Sequence, residues 1–310
     1  MQRVPAAYHR SVKRKAWLLV GTFVFGACVA THGGGCLERP LRVGTYNIEQ
    51  FGNKGKKTDL DRLVTIITQA DADVLAVQEI QDERSLQALA KRLSQGLRSY
   101  RVALSDCGGR SEMKVGVLYD EHRTKVKATN EYPELDPNKK GQCTAGERPG
   151  LGILFDRGDQ KPFWLLVVHL VARGDRDMFE KRKEQWRKAH SIAKKLGVDG
   201  TPVAILGDTN STGWLDDKFD ERTFIEDEAK AAGKVVATRD LACSEYWQPG
   251  GGKLEVSLLD HVVAPPGFVK WRSVEVHSFC KELRCKSTKE KPADFENVSD
   301  HCPVTFDVAP

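Results

Sequence analysis

The chain has 310 residues, of which 40% are hydrophobic and 29% are charged, so it can bury one large core or two ordinary ones and is neither disordered nor fibrous. Five of the 48 basic residues and none of the 43 acidic residues lie in residues 1–30, which leaves the rest of the chain formally neutral. The overall net charge of +5 is therefore not evidence for a nucleic-acid partner.

The first thirty residues differ in composition from everything that follows. A basic segment that ends at Lys15 precedes the apolar run AWLLVGTFVFGACVA, which is short for a helix that spans a bilayer. We interpret residues 1–30 as an export signal, with an uncleaved membrane anchor as the alternative. Cys28 ends the sequence FGAC, which resembles a bacterial lipoprotein box, so lipidation of Cys28 and ordinary cleavage after Ala30 both stay open. We expect a bacterial protein that is periplasmic, secreted, or tethered to the outer membrane through Cys28.

Residues 31–37 form a Gly-rich linker, and residues 38–310 contain no second low-complexity break, which favours one domain. The eight cysteines of the chain include no CxxC pair, so disulfides in an oxidising compartment are favoured over a structural zinc site. Cys107 with Cys143 and Cys280 with Cys285 are plausible local bridges, although spacing does not determine connectivity.

The first elements of the domain alternate between strands and helices. The sequence LRVGTYNI indicates a strand, and DVLAVQEI indicates one that is covered on both faces, because nearly all of its residues are apolar. Between them, Thr58 and Asp61 form a capping-box start for a helix. The apolar face of that helix would contain Leu60, Leu63, Val64 and Ile67. A second amphipathic helix would bury Leu86, Leu89, Ala90 and Leu93.

The later elements continue this alternation with several short gaps. Further strands are predicted for KVGVLYD, LGILFD, FWLLVVHL, PVAILGD, SLLDHVVA, VEVHSF and PVTFDV. One long helix, from about Met178 to Leu196, would pack its apolar face inward. Many strands with intervening helices and gaps of hairpin length indicate a mixed-sheet α/β architecture rather than a purely parallel one.

Polar side chains stand at the ends of these apolar strands. They are Asn47, Glu79, His169, Asp208, Asn210, Asp260, Asp300 and His301. Each one alone could be a turn, cap or core residue. Because α/β folds place ligands in the crevice at strand ends, we expect the set to share one rim. Its oxygen-rich members, including Asn47, Glu79 and Asp300, suit a hard divalent cation such as Mg²⁺, Mn²⁺ or Ca²⁺.

Six segments in order carry a specific resemblance. They are LRVGTYNIEQFG, DVLAVQEI, LLVVHL, VAILGDTNST, LLDHVV and VSDHCPVTF, and together they span about Leu41 to Val308. This set resembles the endonuclease/exonuclease/phosphatase superfamily, the deoxyribonuclease I-like metal-dependent phosphoesterases. The resemblance implies a four-layered α/β sandwich, in which two mixed β-sheets pack face to face and are flanked by helices.

The resemblance also implies a role for each rim residue. Glu79 would be the principal metal carboxylate, with Asn47 beside it, and Asp300 would hold the metal or stiffen its neighbour. The catalytic residues would be His301 as general base, Asp260 to orient it, Asp208 and Asn210 to position water and a phosphate oxygen, and His169 to assist a phosphate oxygen or the leaving group. Arg148 resembles the family's phosphate-contacting arginine, although a plain surface arginine is an equal alternative.

The sequence departs from the family pattern in two places. Some members pair the residue at the position of His169 with a glutamate, but Met113 stands at that position here and Glu112 lies one residue away. Strand alternation would point Glu112 to the opposite face, which puts assistance to His169 in doubt. A clear match for the family's catalytic tyrosine is also missing.

These residues together predict an exported, divalent-metal-dependent phosphodiesterase, with a nuclease as the leading hypothesis. The alternatives are a sphingomyelinase-like or inositol-phosphate phosphoesterase, and a non-catalytic, surface-tethered binding module. The local basic clusters that could follow a nucleic-acid backbone are Lys54/Lys56/Lys57 and Lys181/Arg182/Lys183. We expect the protein to act as a monomer.

Overall fold

The computed structural model describes residues 39–136, 146–158 and 160–309. The predicted export signal, the Gly-rich linker and Cys28 lie outside the described residues. From Pro40 onward the chain forms one compact unit. In the part of the chain that the structure describes, no helix combines the length and the apolar composition needed to cross a bilayer.

The described chain folds into fourteen strands and six α-helices. The strands are β1 (Arg42–Phe51), β2 (Val74–Ile80), β3 (Tyr100–Leu104), β4 (Lys114–Asp120), β5 (Lys125–Tyr132), β6 (Gly150–Arg157), β7 (Gln160–His169), β8 (Val203–Asp208), β9 (Val235–Val236), β10 (Glu245–Trp247), β11 (Glu255–Ser257), β12 (Asp260–Ala264), β13 (Glu275–Val276) and β14 (Val304–Asp307). The helices are α1 (Leu60–Ala70), α2 (Glu83–Leu93), α3 (Arg176–Leu196), α4 (Glu221–Ala231), α5 (Ser278–Glu282) and α6 (Ala293–Asn297).

Two six-stranded mixed sheets and a small hairpin contain these strands. The first sheet has the order β13-β14-β1-β2-β4-β3, and the second has the order β5-β6-β7-β8-β12-β9. Each sheet contains one parallel pair, β1 with β2 and β7 with β8, while its other pairs are antiparallel. Strands β10 and β11 form the separate two-stranded hairpin.

The two sheets pack face to face between layers of helices, which confirms the predicted four-layered sandwich. The central core joins Val43 and Val117 of the first sheet to Leu165 and Leu206 of the second. Helices α1 and α2 cover the outer face of the first sheet, and α3 and α4 cover the outer face of the second. Full burial of each such side chain contributes about 1.5–3 kcal/mol, so this four-layer packing is the main source of stability.

The start of α1 differs from the prediction. Asp59, not Thr58, caps the helix, and its Oδ1 accepts the backbone N–H groups of Asp61 and Arg62 at 3.0 Å each. A carboxylate at this position satisfies two unpaired donors and also interacts favourably with the helix dipole. Leu60, predicted on the apolar face, is 37% exposed because the apolar face begins only at Leu63.

Two later boundaries also differ. Asp175 caps α3 by accepting the Met178 N–H, so the helix begins two residues before the predicted start. The strand predicted for VEVHSF is only Glu275–Val276, because the chain turns into α5 at Ser278, whose φ is +54°.

The disulfide predicted between Cys280 and Cys285 is wrong. Cys243 bonds to Cys285, and Cys280 bonds to Cys302, with Cα–Cα distances of 5.6 and 6.2 Å. Both bonds join segments that are distant in sequence and pack into one small apolar cluster, so local spacing could not reveal them. Cys107 is disulfide-bonded, and its predicted partner Cys143 lies outside the described residues.

Candidate active site

The polar side chains predicted to share a rim come from both sheets and meet at one end of the sandwich. In the second sheet, the register places His169 beside Asp208 and Asp208 beside Asp260. In the first sheet, Asn47 lies in β1 and Glu79 in β2. Because the sheets pack face to face, Asn47 Nδ2 donates to Asp208 Oδ2 across them at 2.9 Å.

Asn47 is the link between the carboxylates of Glu79 and Asp208. Its Nδ2 also donates to Glu79 Oε1 at 3.1 Å, while its Oδ1 accepts the Glu49 N–H at 2.9 Å. Glu79 Oε2 accepts the backbone N–H of Gln50 at 3.0 Å. Both side chains are therefore held in fixed orientations by neighbouring backbone.

The backbone of Glu79 is strained. Its φ is +61°, in the left-handed region that non-glycine residues avoid, at a cost of about 1–3 kcal/mol. The ladder between β1 and β2 shifts register between Asn47 and Phe51, and the ladder between β2 and β4 shifts between Val77 and Ile80. Such irregularities redirect side chains at sheet ends, and here they bring the Glu79 carboxylate to the rim.

His169 stands between these carboxylates. Its Nε2 lies 3.7 Å from Glu79 Oε1 and 3.4 Å from Asp208 Oδ2. Burial, with the nearby charges of Arg148 and His301, holds the pKa of His169 well below its usual value. The ring is therefore neutral near pH 7 and carries a single N–H.

His301 forms a buried pair with Asp260. Its Nδ1 lies 2.8 Å from Asp260 Oδ2, and since an ionised carboxylate only accepts, Nδ1 carries the proton and donates it. Burial alone would lower the pKa of His301, but the carboxylates of Asp260 and Asp208 outweigh it and raise the pKa well above its usual value. Its Nε2 is 3.7 Å from Asp208 Oδ2, so it faces the rim.

Asp208 and Asn210 are positioned by the turn after β8. Asp208 Oδ1 accepts the Asn210 N–H at 2.9 Å, and Asn210 Nδ2 donates to Leu170 O at 3.1 Å. Burial raises the pKa of Asp208 to about 7. The preceding Gly207 has φ +143°, and a Cβ there would stand 1.9 Å from Val168 O, so only glycine allows this close approach of β8 to β7.

Asp300 lies next to His301 in the chain. A third residue of this cluster was not predicted from the sequence. Asp300 Oδ1 is 4.0 Å from His301 Nε2, and burial raises the pKa of Asp300 to about 6. The missed residue is Glu245, whose ligand atoms and those of Asp300 and His301 lie within 4.8 Å of one another. Burial raises the pKa of Glu245 to about 8. Its sequence signal was weak, because a single acid in SEYW belongs to a three-residue strand outside the motifs.

Comparison with known proteins decides the family of this fold and site. The model of the Endonuclease/Exonuclease/phosphatase family matches residues 44–301, which include every rim residue described above. The chain belongs to the endonuclease/exonuclease/phosphatase family. Members of this family are phosphoesterases, so this chain is a phosphoesterase.

Solved structures of the family share the fold at low sequence identity. Humanized TDP2 from D. rerio is 18% identical with a TM-score of 0.60, over 87% of this chain and 99% of that chain. The human Nocturnin catalytic domain is 15% identical with a TM-score of 0.58, over 87% and 94%. A mannosyl-6-phosphatase from Bacteroides thetaiotaomicron is 15% identical with a TM-score of 0.57, over 87% and 100%. A search of curated protein sequences gave no match.

The rim residues fit the divalent cation on which enzymes of the endonuclease/exonuclease/phosphatase family typically depend. Glu79, His169 and Asp208 place ligand atoms within 4.8 Å of one another, and Asp300 belongs to a second such group. Carboxylate oxygens are ligands that hard cations prefer. Asn47 turns its Nδ2 toward Glu79 and its Oδ1 toward the Glu49 N–H, so its role as a ligand stays a prediction. The donor set therefore suits Mg²⁺, Mn²⁺ or Ca²⁺ without selecting among them.

Arg148 lies beneath the rim and not on it. Its Nε donates to His169 O at 3.1 Å, and its Nη2 donates to Leu170 O at 2.7 Å. Burial lowers the pKa of this guanidinium from its usual value. The guanidinium thus supports the backbone at His169 and Leu170, and its Nη1 lies 3.7 Å from Glu147 Oε2. The phosphate contact stays a prediction.

Among the described residues, none takes the place of the glutamate that assists the histidine in some members of the endonuclease/exonuclease/phosphatase family. His169 Nδ1 is buried and has no hydrogen-bond partner among the described residues. Glu112 is exposed in a left-handed turn with φ +55°, and Met113 offers no polar side chain. The structure therefore agrees with the doubt raised by the sequence at this position.

One predicted basic cluster does not form a surface for nucleic acid. Arg182 is only 1% exposed, and its Nε donates to Glu221 Oε1 at 2.6 Å. Glu221 Oε2 accepts the Gly213 N–H at 2.7 Å, which fixes the loop that follows β8. In the other cluster, Lys56 Nζ binds Glu49 Oε2 at 2.7 Å. The runs of basic residues in the sequence did not reveal these ion pairs, because each acidic partner is distant in sequence or lies across a turn.

Replacing Glu221 with alanine is expected to lower the free energy of unfolding by about 3–5 kcal/mol, because the buried Arg182 charge would lose its carboxylate and keep only neutral hydrogen-bond acceptors. Denaturant unfolding of the purified variant measures this loss. Glu228→Ala is the matched control, since Glu228 pairs with Arg187 at the surface and such pairs contribute about 0–1 kcal/mol. Equal losses in the two variants would contradict the prediction.

Proposed function

We propose that this chain is an exported, divalent-metal-dependent phosphodiesterase that hydrolyses nucleic acid. One observation carries the proposal: Asn47 Nδ2 donates both to Glu79 of its own sheet and to Asp208 of the other sheet, beside the His301–Asp260 pair. A carboxylate–amide cluster beside a carboxylate-oriented histidine supports metal-assisted hydrolysis by an activated water.

The chain's own residues divide the chemistry between them. Glu79, Asn47 and Asp300 would hold the cation, which when bound neutralises charge on the phosphate and on the departing oxygen. His301 Nε2 takes a proton from the attacking water, while Asp260 keeps the ring in the required tautomer and stabilises its charged form. Asp208 orients the water.

Two further side chains bind the phosphate group itself. Asn210 would fix one phosphate oxygen. The neutral His169 donates its Nε2–H to a second oxygen, since its Nε2 already faces the rim between Glu79 and Asp208.

Nucleic acid is the substrate class that we favour. A TDP2 structure from D. rerio, 16% identical with a TM-score of 0.60, is described as complexed with a single-strand DNA product. Support for export comes from the disulfides Cys243–Cys285 and Cys280–Cys302, because such bonds persist in oxidising compartments. The mass of the protein recovered from the cell envelope or medium tests export and separates lipidation at Cys28 from cleavage after Ala30.

A substrate panel with controlled metal tests the activity. Plasmid DNA, RNA and bis(4-nitrophenyl) phosphate are incubated with the purified chain, with chelator, and after return of Mg²⁺ or Mn²⁺. We expect hydrolysis of at least one nucleic acid that disappears with chelator and returns with metal. Activity that is indifferent to chelator, or hydrolysis of no diester at all, would overturn the proposal.

A further inference from the structure

A cavity of about 390 Å³ opens directly beside the catalytic rim. Its lining includes Asn210, Asp216, Lys218, Glu245, Trp247 and Ser257. Asn210 and Glu245 also belong to the catalytic cluster, so a group esterified to a phosphate at the rim would extend into this space. The volume lies within the range of small-molecule binding sites and is large enough for one ring.

The hairpin of β10 and β11 forms one wall of the cavity. Alternate residues of a strand face opposite sides, so Glu245 and Trp247 share the face toward the cavity. Tyr246 points the other way, where its ring lies 5.6 Å from that of Phe279. Ser257 of β11 stands opposite Glu245. The sequence SEYW thus places one carboxyl group and one indole on the same wall.

This wall is fixed relative to the general base. The Tyr246 N–H donates to Asp300 O at 3.0 Å, and the Cys302 N–H donates to Ser244 O at 2.8 Å. His301 lies between these two contacts and pairs with Glu245 in an isolated β-bridge. The two disulfides, through Cys243 and Cys302, lie at either side of the same junction. A ligand against the wall would therefore be held at a constant distance from His301.

The chemistry of the wall suits a neutral ring that carries hydroxyl groups. Trp247 is 47% exposed and offers an indole face against which a ring can pack. The Glu245 carboxyl oxygen accepts a hydroxyl proton whether or not the group itself is protonated. Lys218, the cation of the lining, already donates to Gly174 O at 3.1 Å and lies 5.0 Å from the Phe219 ring centroid. The lining pairs this one lysine with the acid Asp216, which disfavours a second phosphate.

We propose that this cavity binds the hydroxylated sugar ring that is esterified to the scissile phosphate, with Trp247 packed against the ring and Glu245 accepting a sugar hydroxyl. The inference rests on the proposed phosphodiesterase function. The sugar is either the ribose of a ribonucleotide or another sugar esterified to phosphate. Glu245 already accepts a hydrogen bond from Ser257, and a deoxygenated ring forfeits the further bond from the sugar hydroxyl, so it is discriminated against.

Kinetics with synthetic diesters test this subsite. Four 4-nitrophenyl phosphate diesters are compared, with the second alcohol being uridine at its 5′ oxygen, 2′,3′-dideoxyuridine at the same oxygen, glucose at its 6 oxygen, or methanol. We expect kcat/KM for the uridine ester to exceed that of the methyl and dideoxyuridine esters by about tenfold or more. In Trp247→Ala this advantage should shrink toward unity, mainly through KM. The matched control Trp271→Ala removes a similarly exposed indole, 49% exposed, and should keep the wild-type ratio.

The outcomes separate the two proposals. If kcat/KM for the glucose ester equals that for the uridine ester, the cavity is a general sugar site. If kcat/KM is higher for the uridine ester, the cavity prefers ribonucleotides. Both results support the subsite. Equal kcat/KM for all four esters, or an unchanged ratio in Trp247→Ala, overturns it. If no ester is cleaved, the proposed function fails, and calorimetry still decides the subsite. Uridine 5′-monophosphate must then bind the wild type more tightly than methyl phosphate does and lose that advantage in Trp247→Ala.

Discussion

Replacing His301 with asparagine is expected to lower kcat for phosphodiester hydrolysis by about 10²–10⁴-fold, the contribution of a positioned general base. The imidazole Nε2 faces the rim, while Nδ1 is held by Asp260 at 2.8 Å, so no other described histidine is oriented in this way. Asparagine can still donate to Asp260 but cannot take up the proton of the attacking water. Steady-state kinetics with bis(4-nitrophenyl) phosphate and saturating metal measure the loss.

The Asp260 partner provides a second readout of the same mechanism. Because the carboxylates of Asp260 and Asp208 raise the pKa of His301, Asp260→Asn should lower that pKa and move the rising limb of the pH–rate profile to lower pH. A purely structural role for Asp260 would reduce the rate without moving the limb. His122→Asn is the control, since His122 is exposed beyond the far end of β4. A His301→Asn enzyme as fast as His122→Asn would contradict the assignment.

Replacing Glu79 with glutamine is expected to weaken divalent-cation binding by more than about 10–100-fold. A loss of that size follows even when only a residue that hydrogen-bonds to a metal ligand is removed. Glutamine keeps the shape of the side chain and can still accept the Gln50 N–H, but it removes the negative charge that faces Asn47 and His169. The rate at fixed Mg²⁺ should fall by about 10²–10³-fold as charge stabilisation is lost.

Calorimetric titration with Mg²⁺ and Mn²⁺ measures the binding, and activity at rising metal concentration measures the rate. Glu112→Gln is the matched control, because it removes the same charge from an exposed turn near the start of β4. If Glu79→Gln binds the cation as tightly as Glu112→Gln does, then Glu79 is not a metal ligand.

Much of the fold follows from local pattern. The nearly apolar sequence of β2 predicted a strand covered on both faces, and Leu86 and Leu89 predicted the buried face of α2. These features depend on periodicity, which short segments carry within themselves. One failure was of the same local scale: Asp59 replaced Thr58 as the cap of α1, because two competent capping residues are adjacent and only the backbone angles choose between them.

The motifs also indicated which side chains would gather, although not how they would touch. Polar residues at strand ends must lie near a common edge, which is why Asn47, His169 and Asp208 were predicted together. The bond between Asn47 and Asp208 crosses from one sheet to the other. No local signal specifies that contact, because it depends on how two separately formed sheets are stacked.

The sequence by itself determined the strands that carry the motifs, helices α1 to α3 and the residue types at the rim, since these are carried by runs of a few residues. Only the tertiary structure decided the positions of Glu245, Arg182 and the disulfides. Glu245 reaches His301 because β10 pairs with the segment around that histidine, and Arg182 is buried because Glu221 compensates its charge. The physical reason is common to all three: a buried polar group or a disulfide is specified by its partner, and the partner is close in space but distant along the chain.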